Sequence, residues 1–145
     1  MAVTISRYNH TAKKLLNKEV TYTTLKAMLL NATATFTATH TQLTQVTNAG
    51  AYEVSGNGWA AGGETFGSVA VTIVDTNDAM LDANDISKTA AGGPIGPAYG
   101  CVIYDDTDAN DAPLWFVNFD GSREAGEGTD FKIVLNASGL YRTAD

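Results

Sequence analysis

One cysteine, three prolines and two histidines are all that this 145-residue chain contains of those types, and each scarcity excludes something. A single cysteine, Cys101, rules out an intrachain disulfide. It lies in the apolar run Cys101-Val102-Ile103-Tyr104, where a thiol reads as a small buried hydrophobe. A nucleophilic cysteine would want a neighbouring base, and neither histidine stands at a familiar spacing from it. His10 and His40 form no His-Glu-x-x-His or Cys/His pattern. No Gly-x-Ser-x-Gly elbow, phosphate-binding loop or dinucleotide fingerprint occurs. A glycosidase-like carboxylate pair is defined by its separation in space, which sequence spacing does not carry. The expectation is a non-enzyme with no cofactor and no resident metal. No stretch approaches the ~18 apolar residues of a membrane span. The opening Met1-Ala2-Val3-Thr4-Ile5-Ser6-Arg7 lacks the regions of a secretory signal. No membrane contact and a cytoplasmic origin are therefore expected.

Charge is sparse too, at 17% of residues, and unevenly spread. Residues 1–50 hold Arg7, Lys13, Lys14, Lys18 and Lys26 against Glu19 alone, a balance of +4. Residues 51–145 hold four basic groups against fifteen acids, a balance of −11, and the whole chain stands at −7. An acidic body argues against nucleic acid, whose binding needs Lys and Arg to displace counterions. The basic third, with Arg7, His10, Lys13, Lys14 and Lys18, is the candidate contact for an acidic partner. Solvated surface lysines are the plainer reading.

Glycine and β-branched residues are plentiful, which favours short strands joined by tight turns. Val3-Thr4-Ile5-Ser6-Arg7-Tyr8 alternates like a half-buried strand. Ala12 to Thr23 reads as a hairpin turning at Asn17-Lys18. Leu25 to Leu30 reads as a buried strand. Thr39 and Gln42 match a capping box, with Leu43 and Val46 on one face, so one short helix is predicted near 40–47. Gly56-Asn57-Gly58 and Gly62-Gly63 are turns. Ser68 to Asp75 is the clearest strand: Val69, Val71 and Ile73 share one face, and Ala70, Thr72 and Val74 the other. Both faces are nearly apolar, so it should be buried on both sides or lie against another subunit. Further strands are predicted at 79–81, 86–90, 98–104, 114–119, 131–135 and 139–142. Gly92 to Pro97 and Asp120 to Gly128 read as loops. The fold expected is all-β: an antiparallel β-sandwich or jelly-roll-like barrel of about eight to ten short strands in a single domain.

Two constellations invite a functional reading. Asp106-x-Asp108-x-Asn110, inside the acidic stretch 105–111, imitates the opening of a calcium loop. The sixth and twelfth positions are Asp111 and Val117, where an EF-hand needs Gly and Glu, so the match fails. Trp59, Trp115, Tyr52, Tyr99 and Tyr104 could stack sugars, but aromatic residues in strands are more often core or interface anchors. Val69, Val71, Ile73, Trp59 and Trp115 are accordingly the candidate oligomer interface.

Five segments carry a resemblance: Ile5 to Thr11, Tyr52 to Trp59, Val74 to Ala79, Gly92 to Ala98 and Gly126 to Ile133. In their order and turn chemistry the chain resembles small virion proteins encoded in the head and tail gene clusters of tailed bacteriophages. The resemblance implies a structural part of the virion, assembled in the host cytoplasm. Within that class it points to a capsid decoration (cement) protein, bound as a dimer or trimer to the major capsid protein on the outer surface. A tail, connector or fibre-associated protein is the alternative within the class. A carbohydrate-binding module using an exposed tryptophan is the alternative outside it.

Overall fold

A computed structural model describes residues 3–143. Its elements are strands β1 (Thr4–Arg7), β2 (Leu25–Leu30), β3 (Glu53–Val54), β4 (Glu64–Thr65), β5 (Ala70–Asp75) and β6 (Asp78–Asp82). They continue with β7 (Ile86–Thr89), β8 (Ile95–Asp105), β9 (Pro113–Ala125), β10 (Asp130–Ile133) and β11 (Tyr141–Arg142), with short helices α1 (Thr11–Leu16) and α2 (Leu43–Thr47). The fold is all-β, and the strand pairs are antiparallel.

The main sheet runs β1-β9-β8-β2-β3, with β4 also paired to β2. It is open at both edges and carries apolar side chains on both faces, because the central strands alternate between two cores. Leu25, Ala27 and Leu29 of β2 join Cys101 and Ile103 of β8 and Trp115, Val117 and Phe119 of β9 on one face. That face packs on the smaller sheets β10-β7 and β11-β6-β5, through Leu81, Ile86, Phe131 and neighbours including Trp59 and Leu140. Met28, Leu30, Val102, Tyr104 and Phe116 point the other way, onto Tyr8, Phe36, Leu43 and Val46. The result is sheet against smaller sheets, the sandwich form of the expectation, with α2 and the preceding loop over the outer face. Each fully buried large side chain contributes roughly 1.5–3 kcal/mol, so the two central strands hold most of the fold.

Four readings change. The hairpin over 12–23 is instead helix α1 followed by a 3₁₀ turn at Tyr22–Thr24. Ala, Lys and Leu are good helix formers. The helix closes where Lys18 takes a left-handed conformation and the N–H groups of Lys18 and Glu19 reach back to the carbonyls of Leu15 and Lys14. The second helix starts later than its predicted box: Gln42 is the cap, and Gln45 Oε1 accepts from the Gln42 and Thr41 N–H groups at 3.1 and 2.9 Å. Residues 95–97 belong to β8, with Pro97 at a register irregularity between the pairs Ile95–Ala125 and Ala98–Arg123, where no ladder donor is missed. The expected loop after Asp120 is a bulge inside β9: Asp120 and Gly121 take positive φ, and the strand resumes to Ala125.

Candidate docking surfaces

The charge split along the sequence is largely undone in space. Lys14 Nζ lies 2.7 Å from Asp108 and 3.8 Å from Glu19, and Lys26 Nζ lies 2.9 Å from Asp106. Two of the five basic groups therefore hold the acidic loop to the fold. His10 Nε2–H donates to the Pro113 carbonyl at 2.6 Å. Arg7 donates to the Tyr141 hydroxyl at 3.1 Å and lies over its ring. Lys13 and Lys18, on α1 and just past it, are exposed, with no ion pair among the described residues. The residues expected to form one basic grip are thus spread between internal roles and two outward lysines.

The acidic loop is a mostly exposed turn over residues 106–110, anchored by one buried carboxylate, Asp105 at the end of β8. Asp105 accepts from the N–H groups of Thr21 and Thr107 at 2.8 and 3.0 Å and from the hydroxyls of Thr24 and Thr107 at 3.1 and 2.8 Å. Burial acts to raise Asp108, but the hydrogen bond and charge of Lys14 and the Asn110 N–H outweigh it and hold the carboxyl below its usual range. Asp111 is pushed up, by burial first and then by the charges of Asp106 and Asp108. No group of three or more His, Cys, Asp or Glu is placed to hold a metal ion among the described residues. Asp105→Ala removes the one acceptor shared by the Thr21 and Thr107 N–H groups and the Thr24 and Thr107 hydroxyls, four charge-assisted bonds in all. It should lower stability by about 3 kcal/mol, read as a shift in the urea midpoint at unchanged slope.

The tryptophans are interior. Trp59 is 2% exposed and meets Phe131 edge-on, with centroids 5.4 Å apart. Trp115 is equally buried beside Tyr141. Their placement at an oligomer interface is corrected: the turn at 56–59 folds Trp59 inward, and Trp115 points from β9 into the same core. Cys101 is wholly buried in β8, which pushes its thiol up to about 12 and keeps it protonated.

The remaining candidates behave differently. Burial of 68–75 on both sides is corrected, because β5 is exposed along its whole length. Val69 packs on the core, Val71 is 54% exposed and Ile73 is 87% exposed. The β5–β6 hairpin therefore overhangs the core, and its inner apolar row runs out into solvent. A second apolar surface has no signal in the sequence pattern: a groove of about 420 Å³ beneath β1, lined by Val3, Ile5, Val117, Phe119, Val134 and Leu140 among others. Val3, Ile5 and Val134 are mainly exposed there. The alternation in 3–8 signalled one exposed face but not that this face is apolar. No protein-family model, curated protein or solved structure matches the chain.

Proposed function

We propose that this chain is a structural protein of a tailed-phage virion, a capsid decoration protein that docks on the major capsid protein and associates with copies of itself. The observation that carries the docking is β5: an edge strand rich in β-branched residues, uncharged up to its terminal Asp75, with every residue exposed. Isolated soluble domains guard such edges with lysine, proline, a bulge or a covering loop; β5 has neither lysine nor proline, and its one irregularity lies at its end, between Ile73 and Asp75. The assignment to a virion comes from the resemblance of the turn and strand segments, and the all-β fold is compatible with it. Attachment to an acidic lattice falls to Lys13 and Lys18, since the other basic groups face their own chain. A tail or connector role uses the same docking surfaces and differs in copy number. A sugar-stacking module is less well supported, since both tryptophans are buried and only Tyr99 of the five aromatic candidates is exposed.

Light scattering of the purified protein and co-sedimentation with capsids test the reading together. An oligomer that saturates capsids at the copy number of the surface lattice is expected. Saturation at the number of a single portal or tail ring would move the chain to the alternative. A strict monomer that leaves capsids unbound would overturn the proposal.

A further inference from the structure

We propose that two copies of this chain join by antiparallel pairing of their β5 strands about a two-fold axis at Thr72, forming one continuous six-stranded sheet. This rests on the reading that the chain self-associates, and it names the surface, partner and register.

The first observation is the direction of the backbone. In the sheet β11-β6-β5, strand β5 is the open edge. Ala79 accepts from the Thr143 N–H at 2.9 Å and donates its own N–H to Thr143 Oγ1 at 2.8 Å, while Leu81 accepts from the Leu140 N–H at 2.8 Å. Ala79 and Leu81 thus face β11. Their partners across β5 are Ile73 and Val71. In an antiparallel ladder these must turn their N–H and C=O groups the other way, to the open edge. The edge therefore offers a hydrogen-bonding ladder at Val71 and Ile73, whose apolar side chains are exposed.

The second observation selects the occupant. Phe66 to Val74 holds no charge and no proline. Ala70-Val71-Thr72-Ile73-Val74 is symmetric in character about Thr72, apolar on both sides in the same alternation. A two-fold interface requires such self-complementarity. With Thr72 opposite its own twin, Val71 lies opposite the second copy's Ile73, and the irregularity of β5 falls outside this pairing, between Ile73 and Asp75. Every outward N–H and C=O of Val71 and Ile73 then finds a partner. A shift by one residue would set the apolar row of one copy beside the opposite row of the other. Charge fixes the direction. The hairpin tip carries Asp75 and Asp78, Asp78 being paired with Arg142 at 2.8 Å. Antiparallel copies hold their Asp75 groups ~20 Å apart along the strands, beyond the ~8 Å screening length at physiological salt. A parallel copy would set them side by side. Two six-residue strands bury less than the ~1,600 Å² of a standard interface, so the dimer should dissociate on dilution.

Disulfide trapping in the full chain tests the register. Thr72 opposite its twin is a non-hydrogen-bonded pair, with Cα atoms ~4.5 Å apart, inside the span a disulfide bridges. Thr72→Cys should form a covalent dimer under mild oxidation, and Val71→Cys, whose twin is displaced along the strand, should form about tenfold less. Cys101 is buried and does not compete. Sedimentation velocity across a concentration series should show wild-type dimer, and Ile73→Lys should weaken it by about tenfold or more. Ile73 is 87% exposed, so this change leaves the fold intact. If the wild type dimerises but Ile73→Lys dimerises equally, or if the two cysteine variants cross-link alike or not at all, β5 pairing is wrong and self-association survives by another surface. A wild type that stays monomeric throughout the series sinks both.

Discussion

Trp59→Ala should destabilise the chain by about 3–5 kcal/mol, a large part of the ~5–15 kcal/mol by which a domain of this kind exceeds its unfolded state. The ring fills the core between Phe131, Ile95 and the turn at 56–59, and a cavity there cannot collapse because the surrounding strands are fixed by their ladders. The indole Nε1 has no hydrogen-bond partner among the described residues, so Trp59→Phe should cost far less, about 1 kcal/mol, since it forfeits no bond. Urea unfolding of the pair checks this: similar midpoints for the two variants would contradict the interior role. A glycan-binding assay on Trp59→Ala would therefore read unfolding rather than a lost stacking surface.

Gly63→Ala should have an effect of similar size. Gly63 has φ +86°, and a Cβ there would run into the Ala27 carbonyl oxygen of β2, which is backbone and cannot step aside. The short strand β4 docks on β2 immediately after it, with Ala27 opposite Glu64. Positive-φ strain of ~1–3 kcal/mol adds to that collision, so a loss of at least ~3 kcal/mol is expected, or failure to accumulate as folded protein. Gly92→Ala is the control. Its φ is +81°, but a Cβ there meets nothing within 4 Å, so only the conformational cost of ~1 kcal/mol remains. Equal melting temperatures for the two variants would show that the close approach is not what the glycine serves.

Much of the fold was legible in the residues because strands report themselves locally. The alternation in β2, β8 and β9 marks which side chains share a face, and the Gly-Asn-Gly turn before Trp59 has two central residues at positive φ as its sequence demands. What misled was local ambiguity of the same kind. Ala12 to Leu16 is long enough for a helix, while the β-branched residues after it favour a strand pattern yet make a 3₁₀ turn. Asp120-Gly121 spells a turn, and the chain uses it as a bulge within β9.

The docking surfaces were less legible. The uncharged run 68–74 was visible, but an apolar strand buried on both sides and an apolar strand overhanging its own core have the same sequence. Only neighbours distinguish them, and among the described residues β5 has one strand neighbour, β6. The charge asymmetry was equally visible and equally incomplete. Lys14 and Lys26 are far from Asp108 and Asp106 along the chain and within ion-pair distance in space.

The sequence by itself determined the β class, most strand positions, the turn glycines and the lack of any nucleophile, metal or phosphate motif. These follow from rotamer, turn and period rules that act over a few residues. Tertiary structure alone decided that both tryptophans are interior, that Asp105 is a buried anchor, that the basic third is spent mainly within its own chain, and that β5 is left open. Each of those depends on contacts between segments tens of residues apart, which no local pattern encodes.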